Sequence, residues 1–560
     1  MSTSSACFSA WEAWRVRSDP KHLQAALTAW RRLLGEANVQ CDAATLGQLS
    51  QDTMGSPAHA CARLRPASSE EVVACLAIAR QYAVALQPAS TGHNWGYGSV
   101  ATAHDQCVQL DLSRMDKILD FDEALAVVTL EPGVTQAALA DYLASRGLPF
   151  LTPVTGAGPT CSVLANALER GFGITPVTDH WQAVMGLEAI LPDGQRYRSP
   201  MWAAGTTPCY KWGVGPYLDG LFGQSGLGVV TQMSIALVRR PQVVQPFYFW
   251  VDSGAQLPAA LDGVKRILDR CGGQVGGINL MNSTRLLSMA YSDHPLTRLS
   301  PGERDAAARS LALPAWMGVG SIYCEQAQLA SVKGIIRSEL RRFSSRYQFR
   351  SQRQLVLAER ALRLVPGAWS RRWQLTLGKL RMGVELMHGQ PNQVALPLAY
   401  AGGARPRPDA LLDPARDNCG LIWYAPILPL RSQQVATFVS QMEQLCLGQQ
   451  LPCPVTLTTL SGRAIDCTVP LLFNRDDSQA SSRAEDCYRQ LFASGRQQGV
   501  LPYRVPLAFM DLLAETQGSA WQLGQRLKAA LDPQHLLAPG RYCSRPALSE
   551  CPPAAMERQQ

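Results

Sequence analysis

The chain has no apolar run approaching the roughly 18–25 residues that a membrane-spanning helix needs, so no membrane protein of that kind is expected. Its opening residues, from Met1 to Pro20, carry Glu12, Arg15, Arg17 and Asp19 where a secretory leader would hold an unbroken apolar core. A cytoplasmic location is therefore the expectation. Among sixteen cysteines there is no Cys-x-x-Cys pair, no haem-attachment Cys-x-x-Cys-His and no zinc spacing. Reduced, half-buried thiols acting as small apolar side chains are expected, and no metal. The formal net charge of +8 is too small to mark a dedicated nucleic-acid binder. No internal repeat is visible.

What is present is enough chain for two or more domains with large cores, at 560 residues and 46% apolar content. Ser68 is placed to cap a helix, with Glu71 completing a capping box and Val72, Leu76 and Ala79 at helical spacing. A strand is expected over 83–86, feeding the loop Thr91-Gly92-His93-Asn94-Trp95-Gly96-Tyr97-Gly98-Ser99. Such a glycine-rich turn can aim successive N–H groups at an anion, here a pyrophosphate. The spacing is neither Gly-x-Gly-x-x-Gly nor a P-loop, and a plain surface turn is the commoner meaning of such a loop alone. Further strands are expected over 124–130, 186–191, 228–238, 247–251 and 318–324, with a helix from Thr135 to Gly147 and another α/β stretch over 421–473. The composition changes near Gln242, and 337–381 is rich in Arg and Lys with only Glu339 and Glu359 opposing, most simply a solvated face. It could otherwise form a subunit contact or dock an acidic partner.

The run Asn166-Ala167-Leu168-Glu169-Arg170-Gly171-Phe172-Gly173-Ile174-Thr175-Pro176-Val177-Thr178-Asp179-His180-Trp181 resembles the flavin-contacting segment of the vanillyl-alcohol oxidase / p-cresol methylhydroxylase family. Tyr503-Arg504 followed by Ala508-Phe509-Met510-Asp511 resembles its phenol-binding strip, and the likeness extends over 40–545. It implies an α+β, two-domain FAD-linked oxidase fold. An FAD-binding domain would be built from both chain ends, 1–241 (with 1–40 as an arm) and 499–545. A cap domain with an antiparallel sheet and helices would occupy 242–498, and 546–560 would be a disordered tail. FAD contacts are implied for Thr91, Gly92, His93, Asn94, Gly96, Gly98, Ser99, Pro153, Gly158, Gly173, Thr175, Gly228, Val229 and Arg541.

By the same resemblance Tyr97, Tyr503 and Arg504 bind a phenolate, and Asp179 lies beside the reactive edge of the flavin as a base. A para-substituted phenol so held can release hydride from its benzylic carbon to flavin N5 and become a quinone methide. The family's cap-domain attachment position for the flavin aligns near Leu421, which cannot form the bond. Either His93 carries the flavin covalently, as in related branches, or FAD is held without a bond; Tyr424 is a third candidate. The paired histidines common in the family are missing around Arg463-Ala464-Ile465-Asp466-Cys467. A small aromatic substrate, at least as readily a specialised biosynthetic one as a simple phenol, and molecular oxygen or another acceptor are the expected partners, with a homodimer or larger assembly. Two alternatives stay open: a same-fold enzyme for a non-phenolic alcohol or amine, and a flavin-binding scaffold without turnover.

Overall fold

The computed structural model describes residues 20–543 except 57, 104–106, 291–294, 364–366, 409 and 517. The expected tail, 546–560, and the first nineteen residues of the expected arm lie outside them. The architecture is α+β. Among the described residues no helix is long and apolar enough to cross a membrane, and the cysteines are free thiols, most of them buried.

Three sheets carry the molecule. In the first, strands Ala62–Leu64, Val108–Asp111 and Leu86–Ala89 run parallel, and Val39–Gln40 closes one edge antiparallel. Helix Ser69–Tyr82 covers it through Val72, Leu76 and Ala79, which pack with Leu64, Val108 and Leu110. Ser68 caps this helix through the Glu71 N–H, 3.2 Å away. The Glu71 carboxylate accepts from the Ala67 N–H instead of the Ser68 one, so the reciprocal half of the box is displaced by one residue. The strand expected at 83–86 starts later, because Ala83 takes a left-handed φ of 51° to cap the helix. Likewise only Val127–Leu130 of 124–130 is strand, since Ala126 (φ 57°) turns a hairpin from Ile118–Asp122.

The second sheet is antiparallel, with Val229–Ala236 at its centre between Val127–Leu130 and Val184–Ile190. Buried Glu188 ties it to the first, accepting from Ser69 at 3.0 Å, Thr231 at 2.9 Å and Arg198 at 2.8 Å. The third sheet is antiparallel with nine strands and runs from Arg346–Phe349 through Val243–Val251, Trp316–Cys324, Asn279–Asn282 and Thr456–Thr459 to the long strand Ala464–Asn474. Helices Leu257–Arg270, Leu329–Leu340, Ser432–Gly448 and Ser478–Gln497 pack on one face of it. Strand period fixes the other face. Ile465, Cys467 and Val469 enter the helical core, which leaves Asp466 and Thr468 on the opposite side. Asn279 lies opposite Thr458, and Thr458 opposite Asp466, so three strands present one polar row.

In the basic stretch Arg341, Arg342, Arg346 and Arg350 are exposed. Glu339, however, is buried and accepts from Arg266 at 2.7 Å and Arg270 at 2.6 Å. It is the anchor beneath that face and not part of it.

The C-terminal part of the chain returns to the first sheet. Leu86 donates to the Leu536 carbonyl at 2.7 Å and accepts from Ala538 at 2.9 Å. Lys528, 1% exposed, holds this return by donating to Asp532 at 2.6 Å and to the carbonyls of Leu537 at 2.6 Å and Gly226 at 2.7 Å. Replacing one partner of a buried pair strands the other charge, so Lys528→Met is expected to cost about 3–5 kcal/mol. The thermal midpoint checks this; an unchanged midpoint would remove Lys528 from the fold's anchors.

Candidate functional site

Two cavities meet where the sheets converge. The first runs between the glycine-rich loop, the segment around Ser162–Glu169 and the strand that begins at Val229. The second lies between the same loop and the polar row of the nine-stranded sheet. His93, Asn94, Ala157, Asn166 and Arg504 line both.

The glycine-rich loop divides its work. The N–H groups of Gly96, Tyr97 and Ser99 are committed to Thr53 Oγ1 (2.8 Å) and the Asn94 carbonyl (3.1 Å each). Those of His93 and Asn94 have no partner among the described residues, which fits an anion held at the first half of the loop. The second half serves packing. A Cβ on Gly96 would stand 2.2 Å from Trp423 Cδ1, and one on Gly98 2.9 Å from Leu507 Cβ, both at positive φ. Only glycine lets the nine-stranded sheet and the C-terminal strip close on the loop, and Trp423 and Leu507 donate to the carbonyls of Gly96 and Tyr97.

Of the residues expected to touch FAD, Thr91, Gly92, His93, Asn94 and Ser99 line the first cavity, together with Gly228, Val229 and Arg541. Gly173 lines the second. Gly96, Gly98, Pro153, Gly158 and Thr175 are not among the lining residues of either. Ser99 Oγ and Gln87 Oε1 are buried without partners at the first cavity, the condition of polar groups shaped for a bound molecule. Arg541 is less free than expected, being bound to Glu169 at 2.5 Å.

Glu169 gathers the site. Its carboxylate takes Arg541 and the Tyr542 hydroxyl (2.8 Å), and its carbonyl accepts from Arg504 Nε and Gln224. Burial would raise its pKa, but Arg541 and Arg504 outweigh that and hold it below the ordinary carboxylate range. Arg504 is 8% exposed and stands 5.4 Å from the ring centre of Tyr97 and 5.6 Å from that of Tyr503. Burial raises the Tyr97 phenol well above its ordinary range, with Arg504 opposing, and the Tyr503 phenol is raised for the same reason. Both are neutral donors near neutral pH. The structure thus brings Tyr97, Tyr503 and Arg504 together at the second cavity.

Asp179 is elsewhere. It closes a bridge to Phe172, and its Oδ1 accepts from the N–H groups of Trp181 (3.0 Å) and Gln182 (3.2 Å). It lines neither cavity. The next residue, His180, is buried against Asn166 at 2.6 Å, and desolvation together with Arg504 pushes its imidazole down to about 4.

The carboxylate that does face the second cavity is Asp466. Its Oδ2 accepts from Thr468 at 2.7 Å and its Oδ1 is buried without a partner. Burial pushes it up to about 7, against the pull of Thr468 and Arg504. The alternation Ile465-Asp466-Cys467-Thr468 was the sequence signal for it, a charge at a face-down position within a core strand.

His93 packs edge-on to Trp95 at 4.8 Å, with Nδ1 3.4 Å from Thr160 Oγ1. Burial lowers its pKa, with Asp413 opposing, which favours the neutral, nucleophilic ring. Leu421 contributes apolar surface to the second cavity. Tyr424 is fully buried, donates to the Leu491 carbonyl at 2.9 Å and lines neither cavity, so it is removed as an attachment candidate.

Comparison with known proteins bears on this geometry. Residues 61–199 match the family described as FAD binding domain. Over 95% of this chain and 99% of the other, the sequence is 34% identical to 1'-carboxy-chondrochloren decarboxylase of Chondromyces crocatus. It is 26% identical to the 4-cresol dehydrogenase [hydroxylating] flavoprotein subunit of Pseudomonas putida, over 92% and 94%. Among solved structures, p-cresol methylhydroxylase with substrate bound superposes with a TM-score of 0.81 at 23% identity. The isoeugenol complex of 4-ethylphenol oxidase from Gulosibacter chungangensis gives 0.82 at 23%. Each covers 94% of this chain and 98% of its own. The first cavity, with its unpartnered amides and orphaned Ser99 and Gln87, fits FAD.

Proposed function

The chain belongs to the vanillyl-alcohol oxidase / p-cresol methylhydroxylase family of FAD-dependent oxidoreductases, and from that premise we propose that it oxidises a para-substituted phenol at the benzylic carbon. In this division 1–241 and 499–545 hold the cofactor and 242–498 form the cap. When bound, FAD supplies the acceptor for a hydride equivalent from the substrate. The observation that carries the reading is Arg504, buried at the junction of both cavities beside the rings of Tyr97 and Tyr503.

A phenol loses its proton near pH 10 in water. In this pocket a fixed cation and two neutral O–H donors favour the anion. Asp466 faces the same groups, has a free Oδ1 and titrates near neutrality, so it takes that proton. The phenolate then pushes charge through the ring as the benzylic carbon is oxidised, and the substrate becomes a quinone methide. Water addition gives an alcohol, and proton loss from the neighbouring carbon gives an alkene. Asp179 stiffens the loop that carries Phe172, which packs edge-on to Tyr503 at 5.0 Å.

The decarboxylase relative favours a second reading. If the carbon beside the benzylic one bears a carboxylate, CO2 departs, its bonding pair becomes the new double bond, and the quinone methide returns to a phenol. Two electrons leave with hydride for FAD, so a carboxylate, FAD and no other oxidant give alkene, CO2 and the reduced cofactor.

Three outcomes are expected. Arg504→Met, at matched FAD content, should slow substrate-driven bleaching of the flavin by about 10²–10³-fold, as for loss of one preorganised donor to developing charge; unchanged bleaching would favour a non-phenolic substrate. In wild type that rate should rise with pH through about 7 as Asp466 loses its proton. Asp466→Asn should erase this limb and cost about 10²–10⁴-fold, and a limb that persists would clear Asp466 of the role. Finally, His93 is the attachment atom if acid precipitation leaves the yellow colour in the pellet; His93→Ala should then release it to the supernatant. Colour in the supernatant of wild type would mean a dissociable cofactor.

A further inference from the structure

Several other arginines of the molecule have carboxylate partners. Arg541 has Glu169 and Arg416 has Asp417, while Arg266 and Arg270 share Glu339. Arg285 does not. It stands on helix Ser283–Ala290 with its guanidinium at the wall of the second cavity. Its Nη1 donates to Ser288 Oγ at 2.9 Å, and no described carboxylate pairs with it. Guanidinium carries five N–H donors, and Nη1 to Ser288 Oγ is the one side-chain hydrogen bond it makes among the described residues.

The side chain is also held in place. Asn282 Oδ1 accepts from the Arg285 N–H at 2.9 Å and from Val455 N–H at 2.9 Å. The Asn282 amide donates to the Cys453 carbonyl at 2.9 Å and to Glu443 at 3.1 Å. The helix start is thereby pinned to the neighbouring strand and cannot carry Arg285 out to water. On the same cavity wall Asn279 Oδ1 is buried without a partner, an amide free to turn its NH2 inward. Burial is the sole influence on the Arg285 guanidinium and pushes it down to about 10. It remains a cation at neutral pH. The cavity is lined by two cations on different elements, Arg504 beside the rings of Tyr97 and Tyr503 and Arg285 on helix Ser283–Ala290.

Arg285 is half-buried; a cation partly withdrawn from water without a counter-charge is costly, and the cost is recovered when an anion arrives. We propose that Arg285 binds a carboxylate on the substrate, so that the enzyme takes a hydroxyphenyl carboxylic acid held by its phenol at Arg504 and by its acid group at Arg285. A planar carboxylate matches the guanidinium fork with two parallel hydrogen bonds. The name of the relative, decarboxylase of a carboxy compound, agrees with such a substrate. The inference rests on the phenol reading for the orientation of the substrate, but the Arg285 contact stands or falls separately.

The test is binding to the FAD-loaded protein, with probes that have no oxidisable benzylic hydrogen. These are 4-hydroxybenzoate and 4-hydroxycinnamate, each against its neutral amide, titrated by calorimetry and by the flavin spectrum. Hydrogen bonds to charged groups contribute about 1.5–3 kcal/mol, hence roughly 10–100-fold. Wild type should prefer at least one acid over its amide by that factor. Arg285→Gln should lose the preference and Arg285→Lys keep part of it. No preference for either acid in wild type overturns the proposal, whatever the variants do, and so does a preference that survives in Arg285→Gln. Cinnamate without the ring hydroxyl separates the two readings. If it binds as well as its hydroxylated form while the acid preference holds, the phenol reading fails and the Arg285 contact stands.

Discussion

Everything at the centre of this protein hangs on one buried carboxylate. Glu169 sits between three stretches of chain that are far apart in sequence, its own segment and those of Arg504 and Arg541-Tyr542. A lone carboxylate there would be costly, and two arginines and a tyrosine hydroxyl remove that cost only when all three stretches are in register. The same contacts fix Arg504 beside the rings of Tyr97 and Tyr503, the geometry on which the proposed phenolate binding rests. Charge neutralisation and substrate positioning are therefore one constraint. Glu169 lay within the motif that pointed to the family, yet its role was invisible there, because the partners are over three hundred positions away.

The nine-stranded sheet does the complementary work. Its period of two sends aliphatic side chains to four helices and leaves Asn279, Thr458 and Asp466 on the other face. A cap built this way can change its chemistry without touching its core. In this chain that face carries Asn279, Thr458 and Asp466 side by side across three strands.

Much of this was legible in the sequence and the rest has identifiable reasons for being hidden. Helix starts at Ser68 and Thr135 were readable because a cap is a local hydrogen bond, 3.2 Å at Glu71 and 3.1 Å at Ala138. Strand edges were misplaced at Ala83 and Ala126, where non-glycine residues take left-handed turns that no residue type announces. The glycines at 92–98 marked the right loop, but Gly96 and Gly98 answer to Trp423 and Leu507, contacts that only the tertiary fold creates. The trio Tyr97, Tyr503 and Arg504 came from resemblance and the structure assembles it. Asp179, prominent in the motif, lines neither cavity, whereas Asp466, which does line the second, acquires its raised pKa from burial and its place from strand register, neither of which is written in its neighbours.

The return of the chain to strand Leu86–Ala89 has a consequence in time. Leu537, Ala538 and Arg541 form part of the wall of the first cavity, and they are among the last residues of the described chain to be synthesised. Domains fold as they emerge, from the N-terminal side onward. The glycine-rich loop, both small sheets and the whole nine-stranded sheet can therefore be standing on the ribosome while the cavity still lacks one side. The first cavity is closed on that side only once this returning segment has paired with Leu86, so a full-walled flavin site forms late in folding.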